Sequence, residues 1–138
     1  MQMFTPYFHF GGRGFEAMLV YEKAFNAEVV RKLQYKDMPP NPEYPIREDQ
    51  MEWLLNGELD INGHSLLMSD TDNYVEGRNV GVNISEGPDE LRRIWSVLIE
   101  GATDIYELGP TFFSPLHGSL KDRFGVTWMF TAPVDEDR

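Results

Sequence analysis

The dipeptide Asn62-Gly63 is the feature that most limits what this chain can fold into. A two-residue type I′ turn needs positive φ at both positions, and Asn-Gly is the strongest short signal for such a hairpin. Four large apolar residues ahead of the turn share one parity, as in a half-buried strand: Trp53, Leu55, Leu59 and Ile61. Residues 65–69 supply the returning strand. The sequence therefore predicts an antiparallel hairpin, with Asn56 and Glu58 on the face opposite the apolar residues.

The order of predicted elements occurs twice along the chain. In the first half, a strand at 5–10, a helix at 15–27 and a strand at 29–35 precede the hairpin, and Phe15, Met18 and Leu19 lie at helical spacing. The second half predicts four elements: a strand at 80–84, a helix opened by Gly87-Pro88-Asp89, a short strand at 104–108, and a hairpin over 117–130 that turns at 122–125. Strand, helix, then two or three strands, twice over, indicates a structural repeat. Paired repeats predict a sheet with helices on one side and an open face on the other.

Composition excludes several kinds of protein. The 138 residues suit one domain, and the absence of cysteine rules out disulfides and thiolate metal sites. A net charge of −11 opposes nucleic-acid backbones. No apolar run is long enough to span a bilayer and no signal peptide is visible, so we expect a cytoplasmic protein with no membrane or nucleic-acid partner. No glycine-rich nucleotide loop followed by a ribose-binding acid is present.

Four segments carry a resemblance to a known family. They are Gly14-Phe15-Glu16-Ala17, Tyr35-Lys36-Asp37-Met38-Pro39-Pro40, Leu66-Leu67-Met68-Ser69-Asp70 and Asp122-Arg123-Phe124-Gly125-Val126-Thr127-Trp128. In their order and spacing, the chain resembles the PhnB-like proteins of the vicinal oxygen chelate (glyoxalase/bleomycin resistance/dioxygenase) superfamily. The resemblance implies an α+β fold of two βαβββ modules, about 4–72 and 78–132, within one domain spanning 1–138. It further implies a cup-shaped mixed sheet with helices packed on its outer side, and a homodimer.

Metal-dependent members of that superfamily hold a divalent ion with His and Glu side chains on strands that line the cup. The positions matched by this resemblance are Thr5, Met68, Asn79 and Met129, and a shift of one residue brings in Pro6, Ser69, Val80 and Phe130. None of them is His or Glu, and thioether sulfur is a poor ligand for hard cations. The resemblance therefore predicts a cup without metal, and we expect no cofactor.

Strand alternation, together with the positions that the resemblance implies, suggests which side chains line the cup. Nine residues are expected to contact a ligand: Tyr7, His9, Trp53, Asn56, Met68, Asn79, Asn83, His117 and Met129. His9 and Glu58 are candidates for general acid–base catalysis, because imidazole titrates near neutrality. PhnB-like relatives often have a histidine where Asn56 stands, which weakens any such role for that strand. Trp53 is expected in the core, or alternatively over the cavity or at a dimer interface, and His64 is expected to be exposed beside the hairpin turn.

Three hypotheses of function follow. The first is a protein that binds or sequesters a small organic molecule without metal, as a homodimer. The second is a lyase, isomerase or dioxygenase that uses a divalent metal, for which the sequence offers only His9 and Glu58 as ligands. The third is an interaction module with a vestigial cup. Metal content distinguishes the first two hypotheses, and we favour a protein that is not an enzyme.

Overall fold

The computed structural model describes residues 4–134, and the chain divides into two compact units between Val75 and Glu76. The first unit contains β1 (Tyr7–Phe10), α1 (Gly14–Phe25), β2 (Glu28–Gln34), β3 (Leu54–Ile61) and β4 (His64–Asp70). The second contains β5 (Gly81–Ser85), α2 (Pro88–Leu98), β6 (Thr103–Gly109), β7 (His117–Lys121) and β8 (Thr127–Thr131). Each unit is therefore one βαβββ module, and the predicted α+β fold is confirmed.

The two units share one sheet topology. The strand order is β1-β4-β3-β2 in the first sheet and β5-β8-β7-β6 in the second. In each sheet the first and last strands are parallel neighbours and the other pairs are antiparallel, so both sheets are mixed. Within the described range 4–134, no helix is long and apolar enough to cross a membrane.

The predicted Asn-Gly hairpin is present. Asn62 and Gly63 have φ of 51° and 86°, and Ile61 pairs with His64 across the turn. The predicted parity of β3 is wrong at its start, however. Leu33 pairs with Asn56 whereas the next residue, Gln34, pairs with Leu54. Leu55 is therefore the extra residue of a β-bulge in β3 and has no counterpart on β2. A bulge of this kind reverses the alternation, which buries Leu54 in place of Leu55.

Helix α1 packs on its sheet through small residues as well as large ones. Ala17, Met18, Tyr21 and Ala24 are buried, whereas Leu19, which was expected in the apolar stripe, is exposed. The small residues allow close packing: a Cβ on Gly57 of β3 would lie 3.0 Å from the Met18 sulfur. Helix α2 follows its predicted pattern, with Leu91, Ile94 and Leu98 buried and the Trp95 ring packed edge-on against Phe130.

A buried carboxylate fixes the start of α1. Asp70, which is 1% exposed, accepts backbone hydrogen bonds from Gly12 (2.8 Å), Gly14 (2.9 Å) and Leu54 (2.8 Å). The first N–H groups of a helix have no partner within it and favour a negative charge. The N-cap residue Arg13 makes no capping hydrogen bond, so Asp70 at the end of β4 supplies that acceptor instead. Gly14 is needed there, because a Cβ would lie 2.8 Å from Asp70 Oδ2.

We call Asp70 and the three residues that donate to it, Gly12, Gly14 and Leu54, the carboxylate cluster of the first unit. Tyr35 also binds to this cluster. Its hydroxyl donates to the Asp70 carbonyl oxygen at 2.7 Å, and its ring packs edge-on against Trp53. Burial raises the pKa of Tyr35 above the ordinary value, and the negative charges of Asp70 and Asp72 raise it further. The hydroxyl therefore remains a hydrogen-bond donor throughout the neutral range.

The second unit has its own buried carboxylate at the predicted turn between β7 and β8. Asp122 accepts hydrogen bonds from the backbone of Phe124 (2.9 Å) and Val126 (3.0 Å) and from Trp128 Nε1 (2.7 Å). Gly125 has φ of 94°, which favours glycine. Asp122 therefore holds the turn in shape and satisfies the indole of a core tryptophan.

We predict that Asp70→Asn destabilises the protein by about 3 kcal/mol, because an amide offers one acceptor oxygen to three buried N–H groups that a carboxylate satisfies. Asp72→Asn is the matched control. Its carboxylate is half-exposed and pairs with Arg47, so its loss is expected to cost less than about 1 kcal/mol. Urea denaturation of both variants measures the difference. Equal free energies of unfolding in the two variants would contradict a special role for Asp70.

Candidate functional site

In the first unit, Tyr7 and His9 lie on the face of the sheet opposite α1. Their rings stack at 4.8 Å, and the Tyr7 hydroxyl donates to Ser69 Oγ at 3.1 Å. The alternating residues Phe8 and Phe10 turn the other way, where the Phe8 ring lies 6.0 Å from that of Tyr21 on α1. We call the face that carries Tyr7 and His9 the open face of the first unit.

Asn56 and Glu58 lie on the same open face but are paired with a cation. Arg31 on β2 donates to Asn56 Oδ1 and, at 2.9 Å, to Glu58 Oε1. Ser65 donates to Glu58 Oε2 at 3.0 Å. Both carboxylate oxygens therefore have partners, and neither partner is His9.

The structure does not bring His9 and Glu58 together. Strand β4 lies between their strands: Glu58 pairs with Leu67, which in turn pairs with Tyr7. Two strand spacings separate β1 from β3 by roughly 10 Å, well beyond hydrogen-bond reach. The hypothesis of an acid–base pair formed by these two residues is therefore not supported within this unit.

In the second unit, a chain of hydrogen bonds crosses the sheet face opposite α2. His117 Nδ1 lies 3.1 Å from Thr131 Oγ1, which donates to Asn83 Oδ1 at 2.8 Å, and Asn83 Nδ2 donates to Ser85 Oγ at 3.1 Å. The strands β7, β8 and β5 contribute these residues, and their register places them side by side, because His117 and Ser85 both pair with Thr131. We call these four residues the polar cluster.

Apolar and aromatic groups surround the polar cluster. Met129 pairs with Asn83 across β5 and β8, on the same face. A Cβ on Gly81 would lie 3.5 Å from the Met129 methyl, so the missing side chain leaves that face uncovered. Phe113, in the loop that leads into β7, places its ring 4.9 Å from the imidazole of His117 in an edge-on contact. Asn79 precedes β5 and is exposed.

Lys121 is a residue on this face that the sequence analysis missed. It is only 9% exposed, and its ammonium donates to Glu76 at 2.7 Å. Its parity in β7 matches that of His117, so strand alternation could have identified it. Its charge is neutralised by Glu76, which lies outside the predicted elements.

Two predicted ligand contacts, Met68 and Trp53, have a different environment from the one expected, whereas His64 lies where it was expected. Met68 was expected in the cup, but it is fully buried on the α1 side, where it pairs with Phe8 and Gly57. Ser69 occupies the open face instead, because β4 runs one residue out of the predicted register. Trp53 packs beside the backbone of Gly12 and against Tyr35, and His64 is exposed beside the hairpin turn.

The side chains that the structure describes do not form a divalent metal centre. Over residues 4–134, no group of three or more His, Cys, Asp or Glu side chains is arranged to hold an ion. Of the four positions matched to superfamily ligands, Met68 lies in the core and Met129 offers a thioether. The polar cluster supplies one imidazole, one amide and two hydroxyls, whereas Mn²⁺ and similar ions prefer carboxylate oxygen and imidazole.

Comparisons with known proteins identify relatives of this chain in sequence and in fold. No family model matches the sequence. Protein YjdN from Escherichia coli (strain K12) is 23% identical over 134 residues, which cover 91% of each chain. Among solved structures, protein PA1353 from Pseudomonas aeruginosa is 26% identical with a TM-score of 0.85, over 98% of this chain and 100% of that chain.

Two further solved structures carry recognised family names. The PhnB protein from Bacillus cereus, a putative 3-demethylubiquinone-9 3-methyltransferase, is 23% identical with a TM-score of 0.79, over 95% of this chain and 99% of that one. The fosfomycin resistance protein FosX from Listeria monocytogenes is 13% identical with a TM-score of 0.65, over 99% and 97%. The chain therefore has the glyoxalase/bleomycin resistance fold of the vicinal oxygen chelate superfamily, to which PhnB and FosX belong. The predicted resemblance to PhnB-like proteins is confirmed at the level of the fold.

The two methionines that the resemblance matched to metal ligands provide a test of their placement. We predict that Met68→Ala destabilises the protein by about 2–5 kcal/mol, because it leaves a cavity in the core. Met129→Ala, on the partly exposed sheet face opposite α2, is expected to cost about 1 kcal/mol or less. Thermal and urea denaturation of both variants check the difference. If Met129→Ala were the more damaging change, the assignment of the two faces would be wrong.

Proposed function

We propose that this protein binds a small organic molecule without a metal ion, at the polar cluster of the second unit. The arrangement of His117, Thr131 and Asn83 beside Phe113 and Met129 carries the proposal. Small-molecule sites combine an apolar wall with a few convergent polar groups that orient the ligand. The polar cluster has both parts, and its side chains come from three neighbouring strands, which hold such groups more rigidly than loops do.

The open face of the first unit is the less favoured location. Glu58 and Asn56 already share Arg31, so a ligand there would have to displace an ion pair. Tyr7 is similarly engaged with Ser69, which leaves His9 as the remaining predicted contact on that face. The second unit offers a contact surface formed by Met129, Phe113 and the Nε2 side of the His117 ring. A ligand can bind there without breaking an ion pair.

A metal-dependent lyase, isomerase or dioxygenase is the alternative. One observation favours it: a FosX variant from Listeria monocytogenes with this fold, at a TM-score of 0.66 and 11% identity, is a complex with Mn(II) and a dihydroxypropylphosphonic acid. The donor set of this chain supports metal-free binding instead, because amide, hydroxyl and thioether groups predominate where such an ion would need carboxylates.

Elemental analysis and ligand screening together decide between the two functions. The protein is dialysed, soaked separately with Mn²⁺, Ni²⁺, Zn²⁺ or Fe²⁺, and dialysed again before its metal content is measured. We expect no stoichiometric metal. We also expect a thermal-shift screen of organic fragments to find compounds that stabilise the protein. A ligand at 100 times its Kd stabilises the folded state by about 2.7 kcal/mol. His117→Ala should abolish the shift, and His64→Ala, beside the exposed hairpin turn, should retain it. One firmly held ion per chain would establish the alternative.

We further propose that the protein is a homodimer. The chain is rich in aromatic residues, with nine Phe, six Tyr and three Trp, and several large side chains are exposed, among them Phe4 and Tyr106. Exposed apolar groups of this size favour contacts between proteins. Sedimentation velocity at micromolar concentration should give about twice the 16.0 kDa chain mass. A single monomeric species would overturn this proposal.

A further inference from the structure

The direction of the hydrogen bonds in the polar cluster, set by the orientation of the Asn83 amide, selects one tautomer of His117. A threonine hydroxyl has one hydrogen to donate. Thr131 donates it to Asn83 Oδ1 at 2.8 Å, while the amide nitrogen of Asn83 donates onward to Ser85. With the amide of Asn83 in this orientation, the contact of 3.1 Å between Thr131 Oγ1 and His117 Nδ1 takes its hydrogen from the imidazole. In neutral His117 the proton then lies on Nδ1, and Nε2 carries a lone pair.

We infer that His117 Nε2 is a fixed hydrogen-bond acceptor, and that the ligand is a flat aromatic molecule that presents an O–H or N–H donor to it. This inference rests on the proposed function and specifies its ligand class. The donor requirement follows from the tautomer, since a ligand with only acceptor atoms would meet a lone pair on Nε2. The flat aromatic requirement follows from the rings next to the imidazole.

An aromatic ledge adjoins His117. The Phe113 ring contacts the imidazole edge-on at 4.9 Å, and the Phe112 ring contacts Phe113 at 5.3 Å. Phe112 is completely exposed, at 101% of its reference area, and Phe113 is 47% exposed. Exposed rings favour edge-on or offset contacts with other aromatic groups, so a flat ring gains contact area here without disturbing the fold.

The loop that carries the ledge is held in one shape by its own hydrogen bonds. Thr111 Oγ1 accepts from the backbone N–H groups of Phe113 (3.3 Å) and Ser114 (3.1 Å), and the Thr111 N–H donates to the Ser114 carbonyl at 2.9 Å. Ser114, which is 3% exposed, donates from Oγ to the Ala132 carbonyl at 2.7 Å, directly after Thr131. The aromatic ledge is thereby tied to the strand that fixes the histidine, and this coupling positions both before a ligand arrives.

Long-range ¹H–¹⁵N spectra of imidazole-labelled protein test the tautomer, because they distinguish a protonated from an unprotonated ring nitrogen. We expect His117 to be protonated on Nδ1. Thr131→Val should remove that preference. Thr127→Val makes the same change on the same strand and the same face, and it should leave the spectrum of His117 unaltered. Protonation of His117 on Nε2 in the wild-type protein would overturn the inference. It would mean that the amide of Asn83 has the opposite orientation and that every hydrogen bond of the polar cluster runs in the opposite direction.

Matched fragment pairs test the ligand class: phenol against anisole, and indole against 1-methylindole. Methylation removes the donor and keeps the flat ring, so each methylated partner should bind about tenfold more weakly, as the loss of one hydrogen bond implies. Thr131→Val should abolish this discrimination, and Phe113→Ala should weaken both members of each pair. Equal binding of the two members, or no binding of either, would overturn the inference.

The two proposals fail in distinguishable ways. Binding of other fragments that still depends on His117, without preference for donors, would overturn the ligand class alone and leave the proposed function standing. Absence of any stabilising compound in the full screen would overturn both. A correct tautomer with donor-selective binding at His117 would support both.

Discussion

The hydrogen bonds to the Asp70 carboxylate are the interaction on which the first unit depends. Asp70 joins two segments that are distant in sequence: the Gly12 turn with the first residue of α1, and the first residue of β3. A buried charge is costly unless it is fully paired, so this arrangement permits one geometry and penalises others. Tyr35 then joins the following loop to the same point through the Asp70 carbonyl. The position of α1 on its sheet is thereby fixed by polar contacts as well as by packing.

Several of the residues that make this sequence resemble a family form hydrogen bonds that hold the fold together. Gly14, Tyr35 and Asp70 all belong to the first unit's carboxylate cluster, and Asp122 and Trp128 bind each other at the turn of the second. Such residues specify the fold and leave the open faces of the sheets unconstrained. The comparisons show the architecture, whereas the proposed chemistry rests on His117, Thr131 and Asn83.

Local sequence signals predicted most of the fold and part of the candidate site. The Asn62-Gly63 hairpin, the α2 stripe and the turn at 122–125 depend on neighbouring residues, and all three are present. The bulge at Leu55 depends on pairing with β2, which no local pattern shows, and it altered the predicted burial of that strand. Met68 was misplaced because the resemblance set its register. The partnership of Glu58 with Arg31, and that of Lys121 with Glu76, also depend on contacts between separate strands.

The insertion of each last strand between earlier ones has a consequence for how the protein is made. Strand β4 ends at Asp70 but lies between β1 and β3, and β8 lies in the same way between β5 and β7. A ribosome-bound chain that stops short of Asp70 has neither the central strand of its first sheet nor the acceptor for the start of α1. Assembly of each unit therefore waits for its own C-terminal strand, and contacts between residues so far apart in sequence slow folding. During synthesis, β1 and β3 remain open at the edges that β4 later fills, which is the interval when a chaperone is of most use.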